Sequence, residues 1–203
     1  MSRAESERKQ VTVMFADITG FTALSERLDP EQVTETVNRF FAALNEPIQK
    51  YDGTIDKFMG DAVMVLFGAP RTHENDAERA VRCALDMIAA IDAARQGNPF
   101  GHALDLHIGI NTGLVIAGQV GTDQKMEYTV IGDTVNLASR LRDAAPPGAI
   151  YISESTYRLT ARLFDYRSVE PLQLKGKSET VAAYAVQAPR GGVINTRGIE
   201  GLR

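Results

Sequence analysis

Apolar and polar positions alternate through "QVTVMFADI", and its β-branched content predicts a strand over about Val11 to Ala16. "TGFTALSERL" follows as a turn and a short helix. Asp29-Pro30-Glu31-Gln32 has the form of a helix start: a capping Asp, Pro in the first turn, and Gln three residues on. Val33, Val37, Phe40, Phe41, Leu44 and Ile48 then recur at helical spacing, with Pro47 inside the pattern, where it would kink or end the helix. "GTIDKFM" and "AVMVLFG" read as two strands of a hairpin turning at Gly60-Asp61. A second helix opens at Asn75-Asp76-Ala77-Glu78 and carries Val81, Leu85, Ile88 and Ile91 on its buried side. "ALDLHIGINTG" and "LVIAGQVG" read as another strand pair and "EYTVIG" as a strand. "DTVNLASRLRDAA" is a helix stopped by Pro146-Pro147-Gly148, "GAIYIS" a strand and "STYRLTARLF" a helix. The last strands fall near "RSVEPLQLKG" and "ETVAAYAVQ".

The order β-α-β-β-α-β, followed by more of both, predicts an α+β fold: a ferredoxin-like βαββαβ core with additional strands and helices, the helices packed on a mainly antiparallel sheet. After Ala188 the period is lost in "PRGGVINTRGIEGLR", which reads as a linker. The expected layout is a polar N-terminal segment over 1–10, one folded domain over 11–187 and a flexible segment over 188–203.

Composition narrows the function classes. The net charge is -4 with no basic stripe, so no nucleic-acid partner is expected. The single cysteine, Cys83, excludes an internal disulfide and a cysteine zinc site, and its apolar helical position suits a small buried hydrophobe. No apolar run reaches membrane-spanning length and "MSRAESERKQ" is too polar for a signal peptide, so a cytoplasmic domain without membrane contact is expected.

Two carboxylates stand out. Asp17 ends the first strand in "FADITGFT", and Asp61 occupies the hairpin turn of "KFMGDAV". Alone, Asp61 reads as a turn residue beside Gly60 and Asp17 as a helix cap. Together, each at the end of an apolar strand, they would lie at one end of the sheet if the strand neighbours the hairpin. Like charges held close are tolerated when a divalent cation sits between them, and hard oxygen ligands favour Mg²⁺ or Mn²⁺. The stretch Ile18, Thr19, Gly20, Phe21 and Thr22 leads into a helix whose first amides could hold a triphosphate. Asn136 and Arg140, at i and i+4, share one helix face; the pair reads as phosphate and ribose contacts or as a solvated surface pair. His73, His102 and His107 have no metal-ligand spacing, and His107 reads as structural. "GKS" at 176–178 is not a phosphate-binding loop, because Pro171 stands where that motif needs glycine.

Four blocks occur in order: "VTVMFADITGFT", "DKFMGDAVMVLFG", "HIGINTG" and "EYTVIGDTVNLASRL". Together they closely resemble the catalytic domain of class III nucleotidyl cyclases, from about Val11 to Gln187. The resemblance implies the nucleotide cyclase fold and conversion of ATP to 3′,5′-cyclic AMP and pyrophosphate. It implies two metal ions per site, Mg²⁺ or Mn²⁺, on Asp17 and Asp61 with the backbone of Ile18 assisting. Lys57 matches the lysine that reads adenine and Thr129 its partner; Asn136 and Arg140 match the pair that orients the ribose and stabilises the transition state. Lys175 in "LKGK" matches a phosphate-binding lysine, with Lys177 as its rival. It further implies a homodimer with shared active sites, metal aspartates from one subunit and the Asn/Arg pair from the other. Thr129, where many members carry Asp, is similar to a largely bacterial subgroup that includes bicarbonate-responsive cyclases; Leu114 stands where some members carry Arg. The flanking segments resemble multidomain bacterial cyclases, which implies a longer parent protein. Guanine-selective members typically carry Glu at the position of Lys57, which disfavours a guanylyl cyclase. A silent, nucleotide-binding regulatory module remains the alternative of a different class, although such modules usually lose residues that this chain keeps.

Overall fold

The computed structural model describes residues 6–21, 25–26, 28–96, 104–122, 125–173 and 179–191. Among them are eight strands and four helices in an α+β arrangement. The strands are β1 (Glu7–Thr19), β2 (Thr54–Met59), β3 (Ala62–Phe67), β4 (Asp105–Thr122), β5 (Lys125–Ile131), β6 (Ile150–Ser153), β7 (Phe164–Ser168) and β8 (Ala183–Pro189). The helices are α1 (Pro30–Lys50), α2 (Asp76–Gln96), α3 (Asp133–Ala144) and α4 (Glu154–Thr160). The sheet runs β2-β3-β1-β4-β6-β8-β7, with β5 paired to β4. β4 and β6 are parallel, and the other pairs are antiparallel.

Side-chain alternation sorts the core. Met14, Ala16 and Ile18 of β1 face Phe40, Leu44 and Ile48 of α1 and Val81, Met87 and Ile91 of α2. Val11, Val13 and Phe15 face the other way, with Met64 and Leu66 of β3, and pack under Ala138 of α3 and Val115 and Val130 of the β4–β5 ribbon. By the same parity Asp17 belongs to the α3 face. Cys83 is fully buried, and that burial pushes its thiol well above the usual value, so it behaves as a core hydrophobe.

Several elements depart from the sequence pattern. β1 starts at Glu7, because Glu7 to Gln10 pair with Leu114 to Ala117 of the long β4. The expected strand pair around Gly113 is one continuous strand. Gly113 pairs with Val11 within the ladder, and a side chain there would press its Cβ to 2.6 Å from Thr134 Oγ1, so this glycine serves the approach of α3 rather than a turn. Pro47 does not end α1, which continues to Lys50. α4 stops at Thr160, and Phe164, fully buried, instead begins β7. The strand expected near "RSVEPLQLKG" is represented by a single bridge, Leu172 to Val181. Gln32 caps α1 as expected, its Oε1 accepting from the Asp29 N–H at 3.4 Å. Most of the short helix expected after Gly20 lies outside the described residues. No helix among them is long and apolar enough to cross a membrane.

Candidate active site

The β1–β3 register brings the two carboxylates together. Asp17 pairs with Ala62, the residue after Asp61, and the Ile18 N–H donates to the Asp61 carbonyl at 3.2 Å. Gly60 adopts φ 67° to make the turn, a conformation that suits glycine and sets Asp61 at the sheet edge. Burial, followed by the negative charge of Asp17, raises the Asp61 carboxyl above its usual value. Asp17 moves the other way. Burial alone would raise it, but a hydrogen bond from His107 and the charge of Arg142 outweigh that and lower it.

Sequence reasoning missed the part that His107 and Arg142 play beside Asp17. His107 pairs with Asp17 across β1–β4; its Nε2 lies 3.4 Å from Asp17 Oδ2 and its Nδ1 3.0 Å from the Ala145 carbonyl. It therefore orients a carboxylate, which corrects the purely structural reading. Burial would lower its pKa, but the hydrogen bonds to Asp17 and Ala145 outweigh burial and raise it. Arg142 Nη1 lies 3.5 Å from Asp17 Oδ2, and its guanidinium sits 5.9 Å from the Phe15 ring centre. The available signal was spacing: Arg142 follows Ala138 by one helical turn, on the buried side.

α3 is fixed at both ends to β4. Thr134 Oγ1 donates to the Leu114 carbonyl at 2.7 Å, Asn111 Nδ2 donates to the Thr134 carbonyl at 2.9 Å, and His107 meets Ala145 at the far end. That orientation separates the helix's polar residues. Asn136 and Arg140 lie roughly 160° around the helix from Ala138, directed away from the sheet. Among the described residues, neither has a hydrogen-bond or ion-pair partner, and neither reaches Asp17 or Asp61.

The structure brings Lys57 and Thr129 together. Lys57 Nζ donates to Thr129 Oγ1 at 3.4 Å, Thr129 Oγ1 donates to Asp56 Oδ2 at 3.0 Å, and Lys57 Nζ lies 3.1 Å from the same Asp56 oxygen. Asp56 was not singled out in the sequence. Lys57 pairs with Met64 and so lies in the row of Phe15, two residues from Asp17. At the usual strand spacing and rise, that sets it roughly 12 Å from Asp17 on the same face. Of the expected phosphate-binding stretch, Ile18 is buried, Thr19 ends β1, Gly20 turns with φ 82° and Phe21 packs against the main core. Thr22, Lys175 and Lys177 lie outside the described residues.

A cavity of about 370 Å³ lies at the opposite end of β1, beside Gln10, Thr12, His73 and Asp76, and includes none of these side chains. A family model for the adenylate and guanylate cyclase catalytic domain matches residues 4–188. The chain belongs to that family. Among curated relatives, the cyclase domain is 33% identical over 184 residues to adenylate cyclase 1 of Rhizobium meliloti (strain 1021), covering 88% of this chain and 28% of that protein's length. Among solved structures, it is 41% identical to the adenylyl cyclase CyaB from P. aeruginosa, with a TM-score of 0.87 over 92% of this chain and 98% of that one. The guanylate cyclase domain of RhGC from Catenaria anguillulae, solved with GTP, is 32% identical with a TM-score of 0.83, over 91% of this chain and 100% of that one. Both purine classes occur among these relatives, so membership fixes a nucleotide cyclase domain and leaves the purine to the site itself.

Cyclase catalytic domains are generally metal-dependent, and the residues present fit a divalent cation. Asp17 Oδ1 is buried with no hydrogen-bond partner among the described residues, and Asp61 beside it is raised by burial and then by Asp17's charge. A cation between them would satisfy the first and relieve the second. No group of three or more His, Cys, Asp or Glu able to hold a metal occurs among the described residues, so further ligands would be backbone oxygens, substrate oxygens or water.

Proposed function

We propose that the cyclase domain converts ATP to 3′,5′-cyclic AMP and pyrophosphate, as a homodimer whose two sites lie between subunits. The observation that carries the purine assignment is the Lys57–Thr129 contact at 3.4 Å. Lys57 donates and cannot accept, which suits the N1 acceptor of adenine rather than the N1–H of guanine. The shared site is supported by the outward face of α3. Arg140 has no partner among the described residues, while Asp17 in the same chain already has Arg142.

Asp17 and Asp61, with the backbone of Ile18, would hold two divalent ions, Mg²⁺ or Mn²⁺. When bound, these supply positive charge against the phosphate oxygens and lower the pKa of the ribose 3′-hydroxyl. The chain's own residues do the rest. Lys57 and Thr129 of the second subunit fix the base, and the backbone at the end of β1 and just past it, Ile18 to Thr22 of the metal-holding subunit, lines the triphosphate together with Lys175. Asn136 of the second subunit holds the ribose so that its 3′-oxygen faces the α-phosphorus. Arg140 of that subunit sets a fixed guanidinium against the charge that develops on the α-phosphate as the 3′-oxygen bonds to phosphorus and pyrophosphate leaves. His107 keeps Asp17 oriented throughout. The described fold, from Glu7 in β1 to Pro189 in β8, would be the catalytic module of a longer protein, and cytoplasmic.

The purified chain is to be incubated with ATP or GTP and with Mg²⁺ or Mn²⁺, and cyclic nucleotide measured by chromatography. Cyclic AMP forming faster than cyclic GMP is expected. Cyclic GMP as the main product would overturn the purine assignment, and no product with either nucleotide and metal would leave a nucleotide-binding regulatory module.

A further inference from the structure

Asp56 is a third member of the Lys57–Thr129 contact. A regular strand alternates its side chains, so Asp56 and Lys57 should face opposite sides of β2. They do not, because the β2–β3 register slips between Ile55 and Lys57 and leaves Asp56 as the extra residue of a bulge. Bulges re-aim side chains, and here both neighbours reach Thr129. The Asp56 side chain is 1% exposed while that of Lys57 is 41% exposed. The carboxylate is thus the inner member of the cluster and the ammonium the outer one.

The hydrogen-bond roles in this cluster have one solution. A carboxylate paired with an ammonium only accepts, and an ammonium only donates. Thr129 carries one hydroxyl proton, and that proton goes to Asp56 Oδ2 at 3.0 Å. Asp56 Oδ1 is buried without a partner among the described residues, so this carboxylate is short of donors and holds the Thr129 proton firmly. What remains on the Thr129 oxygen is acceptor capacity alone, lightly used by Lys57 at 3.4 Å. Lys57 has protons beyond those directed at Asp56 and Thr129, and an exposed side chain to offer them.

We propose that Asp56 is a specificity-determining positioning residue: by holding the Thr129 proton it makes Thr129 an acceptor toward the base, so that the Lys57–Thr129 pair matches a 6-aminopurine nucleoside triphosphate. In the pose that sets Lys57 at N1, the adenine amino group donates to Thr129. A guanine in that pose sets its O6 acceptor against the Thr129 acceptor and its N1–H donor against the Lys57 donor. Without Asp56, the Thr129 hydroxyl is free to turn and donate to O6. The proposal rests on the reading of Lys57 and Thr129 as the purine contacts, and its test separates the two.

The measurement is the ratio of kcat/KM for ATP to that for GTP in wild type, Asp56→Leu and Lys57→Ala, with melting temperatures checking the fold. A general structural defect lowers both substrates together and leaves the ratio alone. Asp56→Leu should lower the ratio about ten-fold, with a smaller loss on GTP than on ATP. If Lys57→Ala moves the ratio and a folded Asp56→Leu does not, the Asp56 proposal is overturned and the purine reading stands. If neither variant moves it, both fall. A second arm uses wild type alone, with the triphosphate of purine riboside, which lacks the 6-amino group. About a ten-fold loss of kcat/KM relative to ATP is expected if Thr129 accepts from that group. Equal use of the two nucleotides overturns the proposal whether or not Asp56→Leu folds.

Discussion

Arg140 and Arg142 lie two residues apart on α3 and meet different surroundings. Arg142 turns toward its own sheet, 3.5 Å from Asp17 Oδ2 and against the Phe15 ring. Arg140 turns away and has no partner among the described residues. Helical geometry alone separates them, since residues two apart project about 200° from each other. Together with the stronger effect of the His107 hydrogen bond, Arg142 lowers the pKa of Asp17 against its burial and helps keep it charged for a cation. An unpartnered arginine on an outer face is available to a phosphate carried by another subunit. One helix thus serves two sites in the proposed dimer, one from each side.

The largest expected effect concerns the residues that Arg142 faces. Asp17→Ala or Asp61→Ala should lower cyclase activity by on the order of 10³-fold while leaving the circular dichroism spectrum unchanged. Both side chains sit at the rim of the core rather than in it, so the loss is one of ligands and not of packing. Near-normal turnover in either variant, with Mg²⁺ or Mn²⁺ present, removes the metal assignment.

Arg140→Ala should cost about 10²–10³-fold, the loss typical of a fixed group that meets developing charge. The sharper result comes from mixing. In a shared-site dimer, Asp17→Ala and Arg140→Ala chains form heterodimers in which one site carries both lesions and the other none. With free exchange about half of the dimers are mixed, so activity should recover to roughly a quarter of wild type. Verified heterodimers as inactive as either parent would mean that both residues serve the same chain's site.

Arg142→Ala is expected to lose less, about ten-fold or under, because it acts through Asp17 rather than on substrate. Mixed with Asp17→Ala it should not complement. Both lesions belong to the metal half, so every site keeps one of them and the mixture shows only dilution of the Arg142→Ala activity. Recovery above dilution would erase the distinction between the two arginines.

How much of this was legible in the sequence depends on the range of the contact. Asp61 at a hairpin turn, Asp17 at a strand end, and Asn136 and Arg140 at helical spacing are local features, and local pattern singled them out as candidates. The meeting of Asp17 with Asp61 needed only that β1 neighbour the hairpin, which it does. His107 was missed because its role depends on the β1–β4 register, which sets it opposite Asp17 from 90 residues away. Asp56 was missed because a one-residue bulge, invisible in the alternation, turns it to the same side as Lys57. β4 was divided at Gly113 because glycine in "NTG" has the look of a turn, whereas here it makes room for Thr134. The fold class survived these errors because it depends on the order of elements and not on their exact ends.

The smallest effect tests the charge balance on Arg142's side of the helix without catalysis. Burial and the charge of Asp17 raise the Asp61 carboxyl above its usual 3.8. The fold therefore binds that proton more tightly than the unfolded chain does. The stability this confers is complete below 3.8 and is lost as pH rises through the folded value. Asp17 is lowered, so its contribution is present above 3.8 and is lost as pH falls through its folded value. At pH 7 without metal, Asp61 is the unfavourable member of the pair. Asp61→Asn should then raise the melting temperature slightly, on the order of 1–2 °C for a domain of this size, and the difference should vanish in acid where Asp61 is protonated. Mn²⁺ should raise the melting temperature of wild type and leave the variant nearly unchanged, because a ligand that binds only the fold stabilises it by mass action. An equal rise in both proteins would mean that the cation binds elsewhere. A variant less stable than wild type at pH 7 would mean that the fold, rather than a cation, uses the Asp61 charge.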